Sequence, residues 1–368
     1  MATIEEQIKS IEEEIQRTPY NKATQHHIGK LKAKVARLKS EQELRRLKSG
    51  GGGVSYAVKK SGSATVGLVG FPSVGKSTLL NQITDAESKV GSYAFTTLDV
   101  IPGVMQHRGI KIQILDMPGL IRGASKGRGR GREVLSVARA CDLIILMIDV
   151  FETNVQVLTE ELYLAGIRLN ERPADVTLAK ANRGGLTVNA TVKLTKMDTE
   201  MVEDVCREWG YLNGVVVVRQ DVTEDQLIDV LAGNRVYTKA FVVVNKIDLV
   251  GQDYLKHLQA KVGNWKLVPI SAEEKIGLTK LKDEIYDTMR FMRVYLKPQG
   301  KEADMAEPLI VKEHADVGAV CDAIHREWRH RFRYANVWGS SAQFPGQKVG
   351  LEHVLRDSDI LTVILRRG

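Results

Sequence analysis

Residues 64–82 read ATVGLVGFPSVGKSTLLNQ, and this stretch limits the fold more tightly than any other. Seven small or apolar residues end at Gly70, the pattern GxxxxGK[ST] runs through Ser77, and an apolar helical pattern begins at once. A strand–loop–helix run of this kind wraps backbone N–H groups around phosphate oxygens. Gly70 and Gly75 let the backbone approach closely, with Phe71, Pro72, Ser73 and Val74 between them. The Lys76 ammonium reaches β- and γ-phosphates, the Ser77 hydroxyl suits Mg²⁺, and Thr78 carries the cradle into the helix.

Four later segments repeat the strand-like texture: KIQILDM (111–117), DLIILMIDV (142–150), AFVVVNKID (240–248) and KLVPISA (266–272). Each is an apolar run that ends in polar residues. That is the mark of a doubly wound α/β sheet whose site lies at the strand C-termini. The domain should therefore occupy 64–169 and 240–290, with VQVLTEELYLAGIR (155–168) as one of its helices. One crossover helix and short loops are enough to join Asp149 to Ala240. Residues 170–239 are surplus, and their strand-like and helix-like runs predict a small inserted α+β domain. The tail, 291–368, reads as short strands with a helix over 317–332, which suggests a ubiquitin-like β-grasp. At the other end, Ile4, Ile8, Ile11 and Ile15, then Ile28, Leu31, Val35 and Leu38, keep helical spacing on either side of Pro19. They predict a helical hairpin over 1–49, followed by a flexible SGGGG joint.

The phosphate loop does not choose a base, but NKID can. The Asp248 carboxylate accepts from guanine N1 and the exocyclic amine, a donor pair that adenine lacks. Asn245 braces the loop, the Lys246 stem covers the ring, and a backbone N–H at Ser271–Ala272 would meet guanine O6. In YAFTTLDV, Phe95, Thr96 and Thr97 lie where a loop folds over the γ-phosphate, and either threonine can complete a Mg²⁺ shell. Asp116 and Gly119 of DMPG stand where Mg²⁺ and the γ-phosphate are contacted. The set points to GTP or GDP with Mg²⁺.

The net charge is +8, and the surplus is clustered. From Lys22 to Lys48 nine basic residues face only Glu41 and Glu43, which fits either a basic arm toward a polyanion such as RNA or a solvated helix face. A second cluster, Arg128, Arg130 and Arg132 between glycines, directly follows the DMPG segment. A third, Arg326, Arg329, Arg331 and Arg333, is interleaved with Trp328 and Phe332. The three cysteines show neither CxxC spacing nor a disulfide framework, as in a reducing compartment. MATIEEQIKS lacks the apolar core of a secretory leader, and LIILMI is too short to span a bilayer. A cytoplasmic protein with no membrane and no DNA partner is expected.

Together, GFPSVGKSTLL, FTTL, DMPGLIRGA, NKID and ISA resemble the Obg-like branch of translation-factor GTPases. KGRGRGRE (126–133), the lysine-rich start and the grasp-like tail narrow the resemblance to the developmentally regulated GTP-binding protein (DRG) family, over nearly the whole chain. The resemblance implies a helix-turn-helix arm, an inserted domain like the second domain of ribosomal protein S5, and a C-terminal TGS domain. It implies Thr97 rather than Thr96 as the Mg²⁺ ligand, with Lys76, Thr97 and Gly119 as the hydrolytic set. It further implies a switch that works on the ribosome and its rRNA, with a stabilising partner of the DRG family regulatory protein class. Many relatives place a water-orienting glutamine where this chain has Leu120, which cannot hydrogen-bond a water. The resemblance also makes potassium a candidate cofactor of this chain, although relatives that bind it carry asparagine at the fourth loop position, where this chain has Ser73. The alternative to a slow GTPase is a GTP-dependent scaffold with negligible turnover.

Overall fold

The computed structural model describes residues 3–49, 64–84, 101–117, 137–306 and 308–366. They fall into two compact units, Met1–Ser55 with Gly166–Tyr237 and Tyr56–Ala165 with Thr238–Gly368. The N-terminal hairpin and the insert, which the sequence reading keeps apart, thus belong to one body.

In chain order, α1 (Ile4–Arg17) starts at a capping box in which Thr3 and Glu6 satisfy each other's backbone N–H. After Pro19 the Asn21 side chain accepts from the N–H groups of Ala23 and Thr24, and the chain reverses into α2 (Gln25–Ser49). Ile8 and Ile11 bury against Val35 and Leu38, the faces set by the isoleucine spacing. In the second unit β1 (Ala64–Gly70) is wholly buried and feeds α3 (Lys76–Ile83). There follow β2 (Ile101–His107), β3 (Ile110–Asp116), β4 (Leu143–Asp149) and α4 (Val155–Leu164). The helix expected to run to 168 stops at Leu164. Gly166 takes a left-handed φ of 81° that ends it, and Ile167–Leu169 becomes β5.

The insert holds β6 (Val176–Lys180), β7 (Leu186–Ala190), α5 (Thr199–Glu208), β8 (Gly214–Val218) and α6 (Glu224–Ala232), with sheet order β6-β8-β7. Its core of Met201, Val205, Val216 and Leu227 also takes in Ala33 of α2. Gly29 lies at that contact, where a Cβ would meet Met201 Cε at 2.2 Å and displace the methionine tip. Charge completes the seam. Lys30 meets Asp204 at 2.7 Å and Lys32 meets Asp225 at 3.1 Å, both at N···O. Arg37 donates to the Glu208 carbonyl oxygen and lies 3.7 Å from its carboxylate. The run read as a free basic arm is therefore, in these three residues, an internal joint. Opposed carboxylates far along the chain turned it inward.

The second unit resumes with β9 (Val236–Asn245), α7 (Gln252–Val262), β10 (Leu267–Pro269) and α8 (Leu278–Met289). Its sheet has the order β10-β9-β4-β1-β3-β2, parallel except for β2 against β3. It is the doubly wound sheet expected. β1 lies between β3 and β4, so connections leave it in both directions and open a crevice at the strand C-termini.

The tail is a five-stranded β-grasp made of β11 (Phe291–Leu296), β12 (Leu309–Lys312), β13 (Phe332–Trp338), β14 (Gln347–Val349) and β15 (Asp359–Leu365), in the order β12-β11-β15-β13-β14. Its helix, α9 (Val317–Ile324), follows β12 and is shorter than the 317–332 expected. His325 is extended, at φ −162°, and a single helical turn over Trp328–Arg331 follows. The break lets Trp328 and Phe332 pack on the same core as Val317, Val320 and Cys321.

Candidate functional site

Three loops at the C-terminal edge of the central sheet carry the residues singled out by sequence. The phosphate loop leaves β1 at Gly70, where a Cβ would lie 2.3 Å from the Met147 carbonyl oxygen of β4. Only glycine fits that approach. Ser73 and Gly75 both take left-handed backbone, at φ 62° and 91°. Lys76 opens α3 and folds back over the loop, its Nζ donating to the carbonyl oxygens of Phe71 (2.8 Å) and Gly70 (3.1 Å). Burial depresses its pKa below the ordinary lysine value, and the nearby Asp116 only partly opposes this. An anionic phosphate would restore the charged form.

Ser77, one residue on, donates from Oγ to Asp116 Oδ2 at 2.6 Å, so the hydroxyl from α3 and the carboxylate from the end of β3 share one corner. Asp116 is 2% exposed, and its Oδ1 has no partner among the described residues. A buried carboxylate oxygen without a donor is costly unless a cation or its water shell completes it. Hard oxygen donors placed this way fit Mg²⁺. The remaining expected contacts, Phe95, Thr96, Thr97 and Gly119, lie outside the described residues, as do Leu120, Arg128, Arg130 and Arg132.

The base-reading loop follows β9. Asn245 is buried, donating from Nδ2 to the Val74 carbonyl oxygen and accepting at Oδ1 from the Ala272 N–H, each at 2.9 Å. It thus ties phosphate loop, NKID loop and the segment after β10 together. Gly75 belongs to the same arrangement, since a Cβ there would fall 2.3 Å from Asn245 Nδ2. The Ala272 N–H, one of the backbone donors expected for guanine O6, here donates to Asn245 Oδ1. Ser271 is fully buried and spans a small bridge to Ile276. Asp248, in the 3₁₀ turn Ile247–Leu249, is exposed, as a base acceptor must be.

Lys246 takes left-handed backbone at φ 64° and donates from Nζ to the Ser73 carbonyl oxygen (3.0 Å) and to Asp149 Oδ2 (2.5 Å). Asp149 Oδ1 in turn accepts from the N–H groups of Phe151 and Glu152. Burial works to raise the Asp149 pKa, but the Lys246 and amide hydrogen bonds outweigh it and hold the carboxyl below the usual aspartate range. Sequence reading saw Asp149 only as the end of a strand. Its one visible signal was an acidic residue closing an otherwise apolar run.

This strand–loop–helix cradle, an oxygen pair for a hard cation and an exposed carboxylate on an asparagine-braced loop define a P-loop nucleotide-binding protein of guanine type. A family profile described as "50S ribosome-binding GTPase" matches residues 65–180, its C-terminal extension matches 183–291, and a TGS domain profile matches 292–365. A GTP-binding protein of Methanocaldococcus jannaschii is 52% identical over 99% of this chain and 93% of its own. Developmentally-regulated G-protein 3 of Arabidopsis thaliana is 43% identical over 99% of both chains. A Dictyostelium discoideum homologue of developmentally-regulated GTP-binding protein 1 is 43% identical over 98% of both. The chain belongs to the developmentally regulated GTP-binding protein family.

Proposed function

We propose that this chain is a Mg²⁺-dependent GTP switch that hydrolyses its nucleotide slowly, works on ribosomes in the cytoplasm, and is stabilised by a partner of the DRG family regulatory protein class. The observation that carries the chemistry is the Ser77–Asp116 corner with its spare buried oxygen, beside a phosphate loop whose base reader, Asp248, is open to solvent. Mg²⁺ held at Ser77 and Asp116 would supply positive charge to the phosphate oxygens. Lys76 and the loop N–H groups add charge and dipoles where negative charge develops in the transition state. Leu120 offers no hydrogen bond to an attacking water, so hydrolysis depends on electrostatics. The ribosomal role is supported by the matched profile's description. The regulatory partner is supported by the family resemblance alone.

Single-turnover hydrolysis and ribosome co-sedimentation test this together. Unaided turnover in sodium buffer is expected at or below the roughly 3–5 × 10⁻⁴ s⁻¹ of an unassisted Ras-type protein, rising with ribosomes, partner or potassium. Turnover near one per second in sodium would mean a complete catalytic set and reject the slow switch. Rates that stay negligible under every addition, with nucleotide-dependent co-sedimentation intact, would favour the scaffold reading, for which Leu120 is the supporting residue.

A further inference from the structure

The two faces of the β-grasp sheet differ in chemistry. The inner face packs Val294, Val337 and Leu361 against α9. The outer face carries Tyr295, Tyr334 and Trp338, none of which joins that core. Strand register sets Trp338 beside Ile360 and Tyr334 beside Ile364, on the central strand β15. Lys297 Nζ lies 4.7 Å from the Trp338 ring centroid, and Lys348 Nζ lies 4.2 Å from that of Tyr334. The Arg333 guanidinium is 5.8 Å from the Tyr334 ring. The aromatics are half-buried, whereas Lys348 and Arg333 are exposed. Between them Ile360, Thr362, Ile364 and Asn336 are neutral, so the outer positions of β13, β14 and β15 include no acid. Asp357, just before β15, is already engaged by Arg293 at 2.6 Å.

We propose that this face binds single-stranded RNA, with Tyr334 and Trp338 as stacking platforms and Lys297, Lys348 and Arg333 as phosphate contacts. The parked cations do not block it. A cation over an exposed ring contributes about two- to fivefold to an equilibrium constant. A base stacked on an aromatic contributes about five- to 150-fold. The base therefore wins the ring face, and the displaced ammonium, on its flexible stem, turns to the phosphate that arrives with it. A duplex keeps its bases stacked on one another and offers none to these rings. Asn336, between the two rings on β13, can donate to or accept from a ribose 2′-hydroxyl, which favours RNA. The proposal rests on the RNA-facing part of the function proposed above, but it concerns a defined surface and free RNA.

Anisotropy of a labelled unpaired RNA of roughly 12 nucleotides, titrated with the full chain, tests it. Tyr334→Ala and Trp338→Ala should each weaken binding about five- to 150-fold. Tyr334→Phe should retain binding, and GTP affinity should be unmoved throughout. Lys297→Gln with Lys348→Gln should lower the log–log salt slope by about 1.4, two phosphates' worth for a single strand. Lys348→Glu, at an exposed position, keeps the test decisive if an aromatic variant fails to fold, and should weaken binding several-fold. The proposal is overturned if wild-type chain ignores the RNA at low salt, or if folded alanine variants bind as wild type does. It is equally overturned if duplex RNA competes as well as single strand, since charge alone would then explain binding. Ribosome co-sedimentation that persists while free RNA is not bound would reject this surface and leave the switch standing.

Discussion

Two regions of the molecule bring lysine or arginine against carboxylates and use them to different ends. Along α2, Lys30, Lys32 and Arg37 each find a carboxylate on α5 or at the start of α6, and the charges are matched. At the nucleotide site Lys246 is likewise held by Asp149, but the neighbouring groups are left with capacity to spare. Asp116 Oδ1 is buried without a donor among the described residues, and Asp248 faces solvent. Density of charge in the sequence is similar in kind at both places. What separates a joint from a binding site is whether bonding capacity remains after the fold has closed.

Four variants would break or sharpen that contrast. Asp248→Asn should have the largest effect. Removing an acceptor from a site built on hydrogen bonds should shift the guanine-to-xanthine nucleotide preference by about 10⁴-fold, read by competition against a fluorescent GDP. Wild-type chain that holds ATP as tightly as GTP would refute the assignment of Asp248. Asp149→Asn comes next, because it weakens a charge-assisted bond to Lys246, and should lower stability by about 1.5–3 kcal/mol in urea titrations near pH 7. The Asp149 pKa is depressed in the fold. Its stabilisation is therefore fully present above the ordinary value of 3.8 and lost as pH falls through the lower folded value. The wild-type advantage should accordingly shrink at pH values below 3.8, and an advantage independent of pH would assign it to packing.

Asp116→Asn should reduce Mg²⁺ affinity of the nucleotide complex by about 10–100-fold, measured by metal titration of bound nucleotide. An unchanged Mg²⁺ requirement would mean that the spare oxygen has no ligand. Lys30→Ala with Lys32→Ala should do least. These pairs are partly exposed, so each contributes about 0.2–1 kcal/mol, and neither GTP affinity nor the salt slope of RNA binding should move. A slope that shallows by about 0.7 per lysine would show that the seam opens to RNA.

The contrast also explains what could be read in advance. GFPSVGKS, Asp116 and NKID were legible because each sits in a short run of consecutive residues at the end of a buried strand. The doubly wound sheet and the grasp tail were legible because buried strands keep apolar runs. The partners of α2 were not, since Asp204, Glu208 and Asp225 lie far along the chain and only folding opposes them. The role of Asp149 was hidden for the same reason, its lysine being Lys246. The helix over 317–332 was drawn too long because apolar periodicity continues past Ile324, while the extended His325 is set by how Trp328 meets the core. The end of α4 was visible in principle, in Gly166.

Asn245 spends one carboxamide on two neighbours, the Val74 carbonyl oxygen and the Ala272 N–H. For departure of a nucleotide this has a kinetic meaning. The loop around the phosphates and the segments around the base cannot loosen in turn while that amide holds, so they open over a common barrier. Exchange is then a single event: traces of GDP release should fit one exponential, and Asn245→Ala should split them into separate phases.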